Sequence, residues 1–308
     1  MNDKLIAIVC SDIHLSDAVP SARAETREEW FDFQKNVLSE VSCICIDRGN
    51  VPLLIAGDLF HKWTCSPELI SLAASYLPKS VLSIPGQHDL PQHNLNDMYR
   101  SAYGVLVHCG RITDLSHTFI TIDNWTIVGF PFGKEIKGVE LDGKKLALVH
   151  KFIWKDTNSS YQGVSTEEHV MEMVKKLNGF QLGIFGDNHY PFEQGDALYG
   201  KGVFNCGCLI PRRRQESDYP CRIGLLNDSG KITSHPLHSV KSAKWKGPGE
   251  IQEEFEDEDT VEQMIDKLEE EGEESPDFRP LVLNYIKKAR GLFVGTKQII
   301  MDALDNAE

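Results

Sequence analysis

Five short runs of branched apolar residues each end in residues able to bind a cation, and this recurrence constrains the chain more than any other feature. The runs are 4–9 (KLIAIV), 51–56 (VPLLIA), 80–84 (SVLSI), 145–149 (KLALV) and 181–185 (QLGIF). Their length and branching read as buried strands. In order, they lead into Asp12 and His14; Gly57, Asp58 and His61; Gly86, Gln87, His88 and Asp89; His150; and Gly186, Asp187, Asn188 and His189. A single Asp-x-His or Gly-Asp is weak evidence, because each is common in turns and on surfaces. Five clusters at the same end of five strands would rarely arise by chance. Glycine beside three of them lets the backbone turn sharply toward a shared edge.

Helical patterns lie between the runs. Thr26 to Asp47 places Trp30, Phe33, Val37, Val41 and Ile44 on one face, and Pro67 to Tyr76 forms a second segment. Thr166 to Leu177 follows Ser165 as N-cap. The stretches 117–130 and 203–236, the latter punctuated by Asn227, Asp228, Ser229 and Gly230, read as antiparallel hairpins. Together these predict an α/β (α+β) chain in which two sheets pack face to face between helices and deliver polar residues to one edge. No internal repeat is visible. The expected organisation is a catalytic domain over residues 1–240, an acidic linker or helix over 241–275 and a C-terminal helical segment over 276–308.

The net charge of -14 counts against a polyanionic partner until its distribution is considered. Residues 250–274 hold 14 acids and one base, Lys267; removing them from the totals of 46 and 32 leaves 32 acids against 31 bases. The tail has two readings, a solvated acidic helix or connector, and a docking element presenting Leu281, Ile286, Phe293 and Ile299. No apolar run approaches the roughly 20 residues needed to span a bilayer, and the N-terminal apolar stretch reads as a strand rather than a signal peptide. The eight cysteines form no CxxC pair, and Cys206 and Cys208 are read as packing. A cytoplasmic protein is expected.

Carboxylate oxygens with imidazole nitrogens suit Mn²⁺, Fe²⁺ or Zn²⁺, and the absence of thiolates argues against a structural zinc site. The order Asp-x-His, Gly-Asp, Gly-Gln-His-Asp, lone His and Gly-Asp-x-His resembles, over residues 4–236, the calcineurin-like metallophosphoesterases. This resemblance implies a four-layer α/β/β/α sandwich with a C-terminal helical extension and two divalent ions. Asp12, His14, Asp58 and His189 would hold one ion, and Asp58, Gln87, His150 and Asp187 the other, with Asp58 bridging. Gln87 stands where the family has Asn, and Asp187 where it has His. Both departures fall on the second ion and favour harder cations, so Mn²⁺ is expected first, with Fe²⁺, Zn²⁺ and Mg²⁺ as alternatives. Two such ions, about 3.5–4 Å apart, would activate a bridging hydroxide for in-line attack on phosphorus. His88, oriented by Asp89, is the natural group to stabilise the transition state and protonate the leaving oxygen.

The metal site does not choose a substrate. Gly57 to Lys62 resembles the nuclease subunit of the SbcCD exonuclease and its eukaryotic repair counterpart, where a histidine at the place of His61 positions the DNA end. Residues 85–91 and 203–207 resemble SbcD-like proteins often found in phages. Arg212, Arg213 and Arg214 read either as phosphate ligands or as an exposed loop, and Lys151, with Phe152, Trp154 and Tyr161 nearby, suits a frayed strand or a hydrophobic plug. The resemblance implies DNA as substrate, a homodimer and an SbcC-type ABC ATPase partner that would meet the region after residue 245. The competing readings are a phosphatase or cyclic-nucleotide phosphodiesterase, and a binding scaffold whose second metal site has been disabled.

Overall fold

The computed structural model describes residues 4–161, 164–196 and 201–247. The chain divides into two compact units, Met1–Ile251 and Gln252–Glu308. The acidic run over 250–274, the C-terminal helical segment expected over 276–308 and its docking residues Leu281, Ile286, Phe293 and Ile299 lie outside the described residues.

Alternating apolar side chains build two sheets and three apolar layers. The first sheet runs β12 (Ile232–Pro236), β11 (Arg222–Asn227), β1 (Leu5–Cys10), β2 (Leu53–Ala56), β3 (Val81–Ile84) and β4 (Thr113–Asp114). The second runs β5 (Phe119–Ile122), β6 (Trp125–Phe130), β7 (Lys144–His150), β8 (Leu182–Gly186), β10 (Lys201–Asn205) and β9 (Phe192–Asp196). Successive strand residues point to opposite faces. Leu53 and Ile55 therefore face the helices α1 (Arg27–Asp47), α2 (Pro67–Tyr76) and α3 (Ala102–His108), while Leu54 and Ala56 enter the layer between the sheets. That middle layer receives Leu146, Leu148 and Ile184 from the second sheet, whereas Ala147, Val149 and Phe185 pack under α4 (Val170–Lys176). The result is the α/β/β/α sandwich expected from the sequence.

Parallel pairing aligns the strand ends that carry the polar clusters. Ala56 pairs with Ile84 in the first sheet, and His150 pairs with Gly186 in the second. Past the strands, backbone bonds continue from Asp12 N–H to the Gly57 carbonyl (3.1 Å) and from His14 N–H to the Asp58 carbonyl (3.0 Å). The first two clusters are thus held in register before any side chain is considered.

The capping box of α1 is formed by Thr26 and Glu29, and its buried face includes Trp30, Phe33, Val37 and Val41 as expected, with Ile44 partly buried. The helix expected over 166–177 is instead a 3₁₀ turn, Thr166–Glu168, followed by α4. His169 separates them in an extended conformation: its backbone bridges Trp154 and its ring accepts from Met171 N–H. Tertiary pairing with Trp154 overrides the helical period. The hairpin regions form as β5–β6 and β11–β12, and β4, β9 and α3 are additions that the sequence reading lacked.

Arg23 is fully buried. Its guanidinium lies over the rings of Trp30 (4.9 Å), Phe33 (4.3 Å) and Trp245 (4.9 Å), and pairs with Glu25 at 2.6 Å. Ala24 N–H donates to the Lys244 carbonyl and Lys246 N–H to the Ala22 carbonyl, so residues 244–246 are held to the body rather than forming a free linker. Removing one partner from a buried pair costs about 3–5 kcal/mol because the other charge is stranded. Arg23→Ala is expected to lose that much in urea unfolding, and the double change Arg23→Met with Glu25→Gln much less.

Candidate metal centre

The polar clusters meet where the ends of β1, β2, β3, β7 and β8 converge, and the backbone there is unusual. Asp12 (φ 49°), His14 (φ 50°), Asp58 (φ 54°) and Asp187 (φ 87°) all have positive φ. A non-glycine residue in this region is uncommon and costs on the order of 1–3 kcal/mol, so it persists only where the surroundings enforce it. Four of the seven predicted ligands share this feature. Gly86 is required by proximity: a Cβ there would lie 2.0 Å from Asp58 Oδ1 and 2.6 Å from His150 Nε2. At Gly57, which also has positive φ, a Cβ would collide with the His150 ring at 2.1 Å.

Two donor groups overlap. Asp12, His14 and His189 place ligand atoms within 4.8 Å of one another, and so do Asp12, Asp58 and His150. Asp58 Oδ2 lies 3.6 Å from His14 Nε2 and 3.3 Å from His150 Nε2, between the two groups. Gln87 Oε1 is 2.7 Å from His150 Nε2, and Gln87 Nε2 donates to Asp187 Oδ1 at 2.8 Å. All seven predicted ligands are therefore gathered at one edge.

The donors suit divalent ions. His14 Nε2 and His189 Nε2 are 3.0 Å apart. The second nitrogen of each histidine is engaged elsewhere: His150 Nδ1 with the Ala56 carbonyl at 2.7 Å, His189 Nδ1 with Glu216 at 2.8 Å and His14 Nδ1 against His61 Nδ1 at 3.5 Å. The carbonyl behind His150 and the carboxylate behind His189 fix the tautomer that leaves Nε2 for a metal. Glu216 was missed in the sequence, where nothing local marks it.

Burial and mutual charge dominate the titration of this edge. Burial pushes Asp12 up to about 6, while His150 and His88 hold Asp58 at about 2 against its own burial. His150 is also buried, yet Asp58 first and then Asp187 and Asp12 keep it well above the ordinary imidazole range. His14 is driven well below that range by burial and by its histidine neighbours, and His61 falls to about 2 through burial and Arg212.

The expected role of Asp89 in orienting His88 is not what the structure shows. The buried Asp89 carboxylate accepts from the backbone N–H groups of Leu59 (3.2 Å), Phe60 (2.9 Å) and Gly86 (3.0 Å), fastening the second cluster to the third. His88 is oriented by the His61 carbonyl, 3.0 Å from its Nδ1. Its ring stacks on His61 at 5.3 Å and meets His14 edge-on at 4.9 Å.

The arginine triplet is not presented as one patch. Arg212 is buried and donates to Ser16 Oγ at 2.9 Å, and Arg214 donates to the Lys246 carbonyl at 2.9 Å. Arg213 is exposed and lines a cavity of about 480 Å³ with Asp187, His189, Gln215 and Glu216. Lys151 is exposed beside His150. Trp154 is tied to the Ser165 carbonyl and packs on His169 at 4.5 Å, which places it in the scaffold. Phe152 meets Tyr161 at 5.2 Å, and Tyr161 is 56% exposed.

A family model for calcineurin-like phosphoesterases matches residues 7–191. The chain belongs to this family. It is accordingly a metal-dependent hydrolase of phosphoester bonds, in a family built on a dinuclear divalent-metal centre. No curated protein matches the sequence. Similar solved structures include a putative 5'-nucleotidase from Staphylococcus aureus in complex with alpha-ketoglutarate, at 12% identity and TM-score 0.42, covering 85% of this chain and 58% of that one. A metallophosphoesterase from Sphaerobacter thermophilus has 13% identity and TM-score 0.39, covering 76% and 88%. A dimetal phosphatase from Danio rerio has 10% identity and TM-score 0.47, covering 74% and 94%. Among the described residues no helix is long and apolar enough to cross a membrane.

Two outcomes follow from this geometry. Because Asp58, Asp187 and Asp12 stabilise a proton on His150, a divalent ion competes with that proton, so Mn²⁺ affinity should strengthen as pH rises and weaken further below about 6 as Asp12 protonates. Calorimetry in buffers of different ionisation enthalpy should record proton release, and pH-independent binding would contradict this reading. Gly86→Ala should abolish ion binding at the Asp58–His150 side for an overpacking cost of about 1–3 kcal/mol, read by Mn²⁺ titration beside a thermal melt.

Proposed function

We propose that this phosphoesterase is an SbcD-like nuclease that hydrolyses DNA phosphodiesters with two divalent ions, Mn²⁺ first among them. The observation that carries the reading is the convergence of Asp12, His14 and His189 with Asp58, Gln87, His150 and Asp187 at one edge, with Asp58 within reach of both His14 and His150. When bound, the ions would acidify a shared water and polarise the phosphoryl oxygens. An amide and two carboxylates beside a single imidazole make the second donor set rich in oxygen, which favours a hard ion such as Mn²⁺.

The chain's own groups supply the rest. His88, oriented by the His61 carbonyl beside its Nδ1, would take up and return a proton at the leaving oxygen. His61, stacked on His88, occupies the place where the resembling nucleases position a DNA end. Arg213 on the adjacent cavity wall suits a flanking phosphate by bidentate contact, and Lys151 adds charge near His150. Phe152 and Tyr161 offer an aromatic surface on which an unpaired base can stack. Arg212 and Arg214 enter this reading only as supports of the loop that carries Arg213.

The same resemblance supports a homodimer and an SbcC-type ATPase partner engaged through the region after residue 245, in a cytoplasmic setting that suits eight unpaired cysteines. The test is Mn²⁺-dependent degradation of end-labelled single- and double-stranded DNA beside a chromogenic phosphodiester. DNA cleavage should be lost in Asp58→Ala and reduced about 10²–10⁴-fold in His88→Ala, the usual scale of general acid–base catalysis. Arg213→Ala should raise KM for DNA and leave the small ester unaffected. Turnover of the small ester alone would replace the nuclease reading with that of a phosphatase or small-molecule phosphodiesterase.

A further inference from the structure

Glu216 lies in the 3₁₀ turn Arg214–Asp218, 27 residues beyond His189 and outside every metal motif. Its side chain is buried, and both oxygens are engaged. Oε1 accepts from His189 Nδ1 at 2.8 Å, and Oε2 accepts from the backbone N–H groups of Arg212 (2.6 Å) and Arg213 (2.9 Å). One carboxylate is thus shared between a predicted metal ligand and the backbone of the arginine loop. His189 is held from the other side as well, since Asn205 donates to the carbonyls of Asn188 and Tyr190, each at 2.7 Å.

With Nδ1 as donor, the neutral form of His189, the form that can ligate a metal, carries its lone pair on Nε2, the atom that lies 3.0 Å from His14 Nε2. A carboxylate behind a ligating imidazole fixes ring orientation and raises ligand basicity, and its loss typically costs 10–100-fold in metal affinity. Cys208 also has its donor atom within 4.8 Å of those of His189 and Glu216. With His189 Nδ1 donating to Glu216, however, the imidazole offers that trio no lone pair. We infer that Glu216 is a positioning residue, which fixes the tautomer of His189 for a divalent cation and keeps Arg213 on the wall of the same cavity. This inference rests on the dinuclear reading of the site but not on the choice of DNA as substrate.

The experiment is calorimetric titration of the full chain with Mn²⁺ alone, in wild type, Glu216→Gln, His189→Ala and the double variant. Wild type should bind two ions. Glu216→Gln should weaken one of them by about 10–100-fold and leave the other unchanged. Adding Glu216→Gln to His189→Ala should produce no further loss, because the effect passes through the imidazole. Wild-type binding by Glu216→Gln, or a loss of equal size in the His189→Ala background, would overturn the inference by reducing Glu216 to a loop clamp. If wild type itself binds no Mn²⁺, the metal-centre reading falls and this one with it. Should Glu216→Gln fail to fold, histidine ¹⁵N shifts of the wild-type chain loaded with Zn²⁺ decide the question: an Nδ1–H tautomer at His189 supports the assignment and an Nε2–H tautomer overturns it.

Discussion

The fold is organised around a carboxylate that would be intolerable almost anywhere else. Asp58 is buried and has a positive φ, and it touches His14, His150 and the backbone N–H of His88. Withdrawing an ion from water costs several kcal/mol unless partners compensate. Those partners come from strands in both sheets, so Asp58 is satisfied only when the sheets pack with their strand ends aligned. The two glycines serve the same requirement: Gly57 makes room for the His150 ring, and Gly86 lets the third cluster approach Asp58. Asp89 completes the arrangement by binding N–H groups of both neighbouring loops.

Around this edge the structure builds a second, longer-range support. Ser16, two residues beyond His14, exchanges hydrogen bonds with Gln34 of α1 and accepts from Arg212. The backbone N–H of Arg212 is held by Glu216, and Glu216 holds His189. Arg23 anchors the same region by donating to the Pro211 carbonyl while stacked among three aromatic rings. The arginine loop is therefore fastened from both ends of the chain, which explains why only Arg213 of the triplet faces the cavity. A loop held this firmly presents one guanidinium in a defined place, at the expense of the other two.

What was legible in the sequence is what local chemistry dictates. Branched runs marked the strands, Ser165 caps the turn that opens at Thr166 as expected, and polar residues at strand ends marked the ligand edge. The features that escaped depend on partners far away in sequence. The segment over 166–177 has a helical period, but Trp154 draws the backbone of His169 into a bridge and splits it. Asp89 sits next to His88 in sequence, and adjacency suggested partnership; in space it faces the backbone of residues 59, 60 and 86. Glu216 carries no motif because its contacts to His189 and Arg212 are set by the loop's path and not by spacing.

The two departures from the family pattern, Gln87 and Asp187, touch each other. Gln87 extends one methylene further than the asparagine it replaces, and Asp187 is shorter than the histidine it replaces. Had the site simply decayed, no contact between the two would be required. Instead Gln87 Nε2 donates to Asp187 Oδ1 at 2.8 Å while Gln87 Oε1 stays 2.7 Å from His150 Nε2. The longer side chain spans the space that the shorter one leaves, and the amide oxygen remains beside the same imidazole. Asp187 is fixed in turn through its backbone, whose N–H donates to both oxygens of Asp12 at 3.0 and 3.1 Å. The longer ligand and its shorter neighbour are thus joined by a hydrogen bond, and an oxygen stands where the family pattern has a nitrogen. Under the proposed dinuclear reading, a donor pair richer in oxygen suits a harder cation.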